Sequence, residues 1–269
     1  MVIASSFAAA FTPHSSGSFA ITLSARQQAL PPIESLKPLL RKHKVVILRG
    51  ASVLGQDSFV QWAQGSETIE SAFVKWDFGH VMELRVDPAA KNYLFSREAV
   101  PLHWDGAFHD EPSTLVFHCV ERNRAAAAGG ETVFVDTESI WNQASLTDRK
   151  VWELLSFRYQ TEKLAHYGGS IDVRLVRQHP EKPRQPILRF AEPVHTRLNP
   201  VQITPSPGSP AIAMNALADL IERTKVAHFR YQHDWEVGDI VLADNHALLH
   251  GRNPLSEDDT RTIRRLQLR

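Results

Sequence analysis

Short β-type runs set off by turn residues constrain this chain more than any other feature. Residues 44–49 (KVVILR), 114–120 (TLVFHCV), 131–136 (ETVFVD), 186–190 (PILRF), 239–243 (DIVLA) and Thr260–Leu268 (TRTIRRLQL) read as strands. Each is rich in β-branched, aromatic or other apolar residues and shorter than a stable helix needs. In the last run Ile263 and Leu266 are expected to point inward, with arginines between them. The small-residue stretch 124–130 (RAAAAGG) between two runs predicts a hairpin, and the Pro/Ser/Gly-rich stretch 199–211 predicts a loop. Helices are fewer. One is expected over 33–41 and another over 215–226, with Leu217, Leu220 and Ile221 on one face and Asn215 as N-cap. Many short strands with peripheral helices predict a mainly β fold, a sandwich or barrel-like core.

Composition narrows the function classes. Hydrophobic residues at 43% and charged residues at 22% exclude a disordered chain or a coiled coil. Thirty basic and thirty acidic residues cancel, so no global field points to nucleic acid or to an anionic membrane, and any anion site must be local. With 269 residues, no internal repeat and no long linker, one domain over 1–269 is expected. The lone cysteine, Cys119, allows no intrachain disulfide and reads as a small buried hydrophobe in a reducing compartment. The apolar N-terminal stretch lacks a basic region before Arg26 and is interrupted by Pro13 and His14, unlike a signal peptide. No run reaches the ~18 to 20 apolar residues of a membrane span. A cytoplasmic protein is expected, and a homo-oligomer is compatible with the sequence.

The chemistry-bearing residues lie in two distant segments. In 100–108 (VPLHWDGAF), His103 and Asp105 are two apart, which on a strand puts both on one face, while Trp104 faces the other way and packs. Alone, this pattern is common by chance. Far downstream, 238–252 (GDIVLADNHALLHGR) offers His250, with His246 as the competing imidazole, the latter read as an exposed loop residue. Two histidines and a carboxylate on one side of an ion leave the opposite positions open, as non-haem iron(II) requires. Arg252, Arg261, Arg264 and Arg265 follow. On a strand Arg261 and Arg265 share a face and Arg264 opposes them, so a guanidinium could grip a carboxylate there; a solvated edge strand is the plainer alternative.

Taken in order, LHWDG at 102–106, GGETVF at 129–134, RQHPEKPRQPILRF at 177–190, WEVGDIVLADNHALLHGR at 235–252 and the arginines at 261–265 resemble the TauD/TfdA family of 2-oxoglutarate-dependent dioxygenases. The resemblance covers roughly residues 40 to 269. It implies a double-stranded β-helix, or jelly roll, with helices around it. It implies iron(II), 2-oxoglutarate and dioxygen as cofactor and co-substrates, with His103, Asp105 and His250 as iron ligands. The HGR context puts His250 ahead of His246. Thr132 and Arg261 match positions that bind 2-oxoglutarate, and Arg265 matches one that often contacts an anionic group of the prime substrate. Asp105 occupies the place that related halogenases leave to chloride, so halogenation is not implied.

Within the family, VPLHWDG, VFHCV, the AHY at 165–167 and ADN…LLHGR resemble the PvcB-type oxygenases of isonitrile biosynthesis. That implies an aromatic amino-acid-derived isonitrile, a small anionic molecule, as the substrate to be desaturated or oxidatively decarboxylated. His166 and Tyr167 either line its pocket or pack on a loop. Residues 97–99 (REA) depart from the Asn-containing stretch that often precedes the HxD motif. The alternatives are hydroxylation of another small anion (a sulfonate, an aryloxyacetate or an amino acid) and a non-catalytic ligand-binding jelly roll. Retention of the triad with Thr132 and Arg261 argues against the last.

Overall fold

The structure, a computed structural model, describes residues 11–12, 19–25, 29–76, 79–123, 129–164, 167–195 and 197–269, with the backbone alone at 11–12, 163–164 and 167. The strands in chain order are Phe11–Thr12 (β1), Ala20–Ser24 (β2), Val45–Arg49 (β3), Met82–Leu84 (β4), Val100–His103 (β5), Thr114–Asn123 (β6), Thr132–Asp136 (β7) and Ser156–Leu164 (β8). They continue with Tyr167–Arg174 (β9), Val176–His179 (β10), Lys182–Leu188 (β11), Gln202–Pro205 (β12), Arg230–His233 (β13), Ile240–Asp244 (β14), Leu248–Arg252 (β15) and Thr260–Leu268 (β16).

Two sheets carry the architecture. A seven-stranded sheet runs β1-β2-β3-β14-β6-β16-β4, and a four-stranded sheet runs β13-β7-β15-β5. Phe117, Val241 and Ile263 of the first meet Phe134 and Leu248 of the second in one buried layer. This is the jelly roll that the family resemblance implies. Strand β14 shows the period-2 rule at work: Val241 and Ala243 face this layer, while Ile240 and Leu242 face outward. The outward side is covered by the helices Ile33–His43 and Gln56–Gln64, which bury Leu36, Leu40 and Phe59 there. The far side of the four-stranded sheet is covered by the helices Thr137–Gln143, Leu146–Trp152 and Ala213–Arg223 with β8 and β12. Both outer faces are thus covered, and the central strands β3, β14, β7 and β15 are buried almost throughout.

Several local expectations are corrected. Strands β6 and β7 do not form a hairpin: they lie in different sheets, β6 between β14 and β16, and β7 between β13 and β15. Facing sheets need such crossings, which local sequence does not encode. The helix expected from Asn215 begins two residues earlier, with Ile212 at its N-cap, because burying Ala213 and Ala216 outweighs a side-chain cap. The stretch 199–211 contains β12, paired with β8. In β16 the inward row holds Arg261, Ile263, Arg265 and Gln267, all buried, while Leu266 joins the outer core.

Candidate active site

His103 ends β5 and His250 sits on the neighbouring β15, directly opposite it in register. Their ring centroids are 4.3 Å apart. Asp105 follows His103 in a turn that folds back at once. Gly106 allows this: its φ is +102°, and a Cβ there would lie 2.4 Å from the Glu111 Cα. Gly251 serves the pairing itself, since a Cβ would meet the Val100 carbonyl at 2.6 Å. Asn245 then clamps the turn. Its Oδ1 accepts from the Asp105 N–H at 3.0 Å, and its Nδ2 donates to the carbonyls of Asp105 and Pro112 at 2.9 and 2.8 Å.

The result is a convergence of three ligand-type atoms. Asp105 Oδ1 lies 3.5 Å from His103 Nε2 and 3.7 Å from His250 Nε2. His103 Nδ1 donates to the Pro101 carbonyl at 2.9 Å, which leaves the lone pair on Nε2, facing the convergence. Burial pulls His250 down to about 3, helped by the neighbouring His103, so its imidazole is neutral and able to ligate. Burial opposes ionisation of Asp105, but the Arg265 guanidinium beside it outweighs that and holds the carboxyl well below its usual range. Its other oxygen, Oδ2, accepts from Arg265 Nη1 at 2.9 Å and from Gln267 Nε2. Oδ1 is therefore left for an ion. This donor set, two imidazole nitrogens and one carboxylate oxygen, suits a divalent metal such as iron(II).

On one side of the three atoms is a small, strongly cationic recess lined by Thr132, His250, Arg252 and Arg261. Arg261 donates to the Gly130 carbonyl, and its Nε has no partner. Burial, with the charges of Arg252 and Arg122 adding to it, lowers its guanidinium to about 9. Arg252 reaches only main-chain carbonyls, those of Leu94, Ser96 and Glu98, and its Nε is also unpartnered. Unmade bonds on buried charged donors cost about 1–3 kcal/mol or more each, a cost that an incoming carboxylate removes. Thr132 Oγ1 accepts from Trp235 Nε1 at 2.9 Å, which leaves its own proton to donate. A dicarboxylate such as 2-oxoglutarate fits these orphaned donors.

The ligand atoms also border a cavity of about 470 Å³ whose walls include Trp76, Met82, Phe108, Tyr159 and Val194, together with His103, Asp105 and Arg265. Trp104 is buried edge-on to Tyr159, with ring centroids 5.4 Å apart, and both rings belong to the cavity wall. The lining is mainly apolar, with Asp87, Lys91 and Glu192 also reaching it, and has room for a substituted aryl ring.

The sequence-predicted residues His103, Asp105, His250, Thr132, Arg261 and Arg265 are thus brought together around one point. Arg265 lines both the recess and the cavity, and it is already bound to Asp105 and to the Met82 sulfur at 3.1 Å. His166 lies outside the described residues, as does the side chain of Tyr167. Asn245, Trp235 and Gln267 were not singled out by the sequence. Amides and an indole that act through other side chains leave no spacing signal.

His246 is buried rather than exposed, in a second His/Asp/His group with His179 and Asp244. Metal binding does not suit this group. His179 Nδ1 accepts from the Glu181 N–H at 3.1 Å, so Nε2 carries the proton and donates to Asp244 Oδ2 at 3.2 Å. Lys182 Nζ already supplies positive charge, 3.0 Å from Glu138 and 3.8 Å from Asp244. Asp244 Oδ1 meanwhile accepts from the N–H groups of His246 and Ala247 at 3.0 and 3.1 Å. The group is an ion-pair network that fixes the turn leading to His250.

Comparison with known proteins agrees with this geometry. The family model described as "Taurine catabolism dioxygenase TauD, TfdA family" matches residues 10–267. The chain belongs to the TauD, TfdA family. Among relatives, it is 37% identical to the 3-((Z)-2-isocyanoethenyl)-1H-indole synthase of Fischerella ambigua, over 88% of this chain and 86% of that one. It is 32% identical to the tyrosine isonitrile desaturase of Pseudomonas aeruginosa, over 88% of this chain and 81% of that one. It also superposes on the structure of PvcB, described as an Fe, alpha-ketoglutarate dependent oxygenase from an isonitrile synthetic pathway. That match has a TM-score of 0.74 and 30% identity over 96% of this chain and 90% of that one. For a TauD, TfdA dioxygenase, the facing sheets and the inward row of β16 are the scaffold of the reaction.

Proposed function

We propose that this chain is an iron(II)- and 2-oxoglutarate-dependent dioxygenase that desaturates or oxidatively decarboxylates an aromatic amino-acid-derived isonitrile. The observation that carries the reading is the convergence of His103 Nε2, His250 Nε2 and Asp105 Oδ1 between a cationic recess and an aromatic cavity. The names of the relatives support the substrate class, since the indole and the tyrosine enzymes both act on isonitriles or form them.

In this reading His103, Asp105 and His250 hold the iron. Arg261 grips the distal carboxylate of 2-oxoglutarate and Thr132 donates to it. Iron, 2-oxoglutarate and dioxygen together supply a strong oxidant, with succinate and carbon dioxide as by-products. The chain's own contribution is placement. The aromatic cavity sets which C–H bond of the substrate lies nearest the ligand atoms. Arg265, at the metal end of that cavity, is the cation toward which a substrate carboxylate turns, although it shares its charge with Asp105. His166 and Tyr167 are proposed as further substrate contacts. We further propose one oxygenase domain over residues 1–269, acting in the cytoplasm on a small anionic molecule; light scattering decides whether it works as a homo-oligomer. No helix among the described residues is long and apolar enough to cross a membrane.

The test is succinate release with iron(II) and 2-oxoglutarate, in the presence of tyrosine- or tryptophan-derived isonitrile or of taurine, with products identified by mass spectrometry. Stimulation by an isonitrile and formation of an alkene support the reading. Stimulation by taurine or another acid alone replaces the substrate class and keeps the cofactor chemistry.

A further inference from the structure

We infer that Gln267 is a positioning residue that links Trp76, in the wall of the aromatic cavity, to the Asp105 carboxylate and keeps that carboxylate a one-oxygen ligand. The inference rests on the proposed metal site.

Gln267 is buried, on β16, two positions beyond Arg265 in the same inward row. An amide can present either its oxygen or its NH2 group to a neighbour, and the two orientations have nearly the same shape. The neighbours decide. Trp76 Nε1–H can only donate, and it lies 2.8 Å from Gln267 Oε1. The NH2 group is then turned toward Asp105 Oδ2, to which it donates. Flipping the amide would set its oxygen against the carboxylate and its NH2 against the indole N–H, so both contacts would become repulsive. Trp76 thus selects the orientation that Asp105 needs.

The backbone holds the pair in place. Val74 N–H donates to the Gln267 carbonyl at 2.9 Å, and Phe73 bridges to Leu268. Trp76 exchanges main-chain bonds with Gly79 at 3.1 and 3.0 Å, and its ring packs against His109 with centroids 4.0 Å apart. The 73–76 segment is therefore zipped to the strand that carries Gln267. Arg265 and Gln267 together occupy Oδ2, and Oδ1 alone remains facing the two imidazoles. Without the indole N–H, the amide can rotate at the cost of one bond and Oδ2 becomes available to the metal.

The experiment uses the full chain, stripped of metal. Mn(II) affinity is read by titration, and the ligand field by the visible absorption of bound Co(II). Trp76→Phe keeps a ring in the wall and deletes the indole N–H; Gln267→Leu removes the amide. Each is expected to weaken Mn(II) binding about tenfold, the lower end for residues behind a metal ligand, and to alter the Co(II) bands. The double variant is expected to be no weaker than Gln267→Leu alone, because both act through one contact. Trp76→Phe with wild-type Mn(II) affinity and an unchanged Co(II) spectrum overturns the inference, and so does full additivity. Thermal melting checks the fold, and Trp76→Phe decides by itself if Gln267→Leu does not fold. Wild-type protein that binds no Mn(II) overturns the metal site and the inference together. Mn(II) binding that His250→Ala abolishes supports the site and leaves Trp76→Phe to judge the link.

Discussion

Arg261→Met should stabilise the protein without ligand and cripple its response to 2-oxoglutarate. Burial lowers this guanidinium from its usual 12.5 to about 9. For a cationic group, a folded value below the unfolded one means that the fold carries a penalty at every pH below about 9. Converted directly, that penalty is roughly 5 kcal/mol at neutral pH. Replacement by methionine removes it, but leaves the Gly130 carbonyl without its partner, at about 1–3 kcal/mol. The expected net gain is on the order of 2 kcal/mol, a rise in melting temperature of roughly 4–8 °C for a chain of this size. Binding moves the other way. Losing a charge-assisted pair worth about 3 kcal/mol weakens 2-oxoglutarate on the order of a hundredfold. Differential scanning fluorimetry with Mn(II), with and without 2-oxoglutarate, reads both effects. A variant that melts below wild type without ligand, or that keeps the wild-type ligand-induced shift, refutes the reasoning.

His250→Ala should abolish iron-dependent succinate formation while circular dichroism stays native, and retained turnover would move the ligand elsewhere. Metal analysis of Mn(II)- or Co(II)-loaded protein should give one ion per chain, because His179 Nε2 is committed to Asp244; two ions per chain would show that the ion-pair network opens to bind metal. Cys119, whose thiol burial pushes up to about 12, should resist iodoacetamide in the folded protein up to at least pH 9 and react on unfolding. Rapid labelling of native protein at pH 8 would contradict its burial.

Much of the site was legible because it depends on residue types at short spacings. The two-residue spacing pairs His103 with Asp105, although the turn after β5 rather than strand alternation brings the carboxylate round, and Arg261 and Arg265 share the inward face of β16 as alternation predicts. Glycines after Asp105 and His250 mark places where the backbone turns back or another strand comes close. The supporting groups were not legible. Asn245 is separated from Asp105, and Gln267 from Trp76, by more than a hundred residues of chain, and nothing local distinguishes them from surface amides. His246 was read as exposed because its neighbours resemble a turn; the turn exists, but it is buried and the His179 ring packs edge-on against His246.

By itself the sequence determined the strand-rich architecture, the shared face of Arg261 and Arg265 and the chemical types available for a ferrous site, because pleat and side-chain alternation are local properties of the chain. Tertiary structure alone decided the pairing partners. It put the 114–123 and 132–136 strands in opposite sheets, set His250 against His103 and gave each oxygen of Asp105 a different task. Those outcomes depend on burying two sheet faces at once, a condition that no short stretch of residues can express.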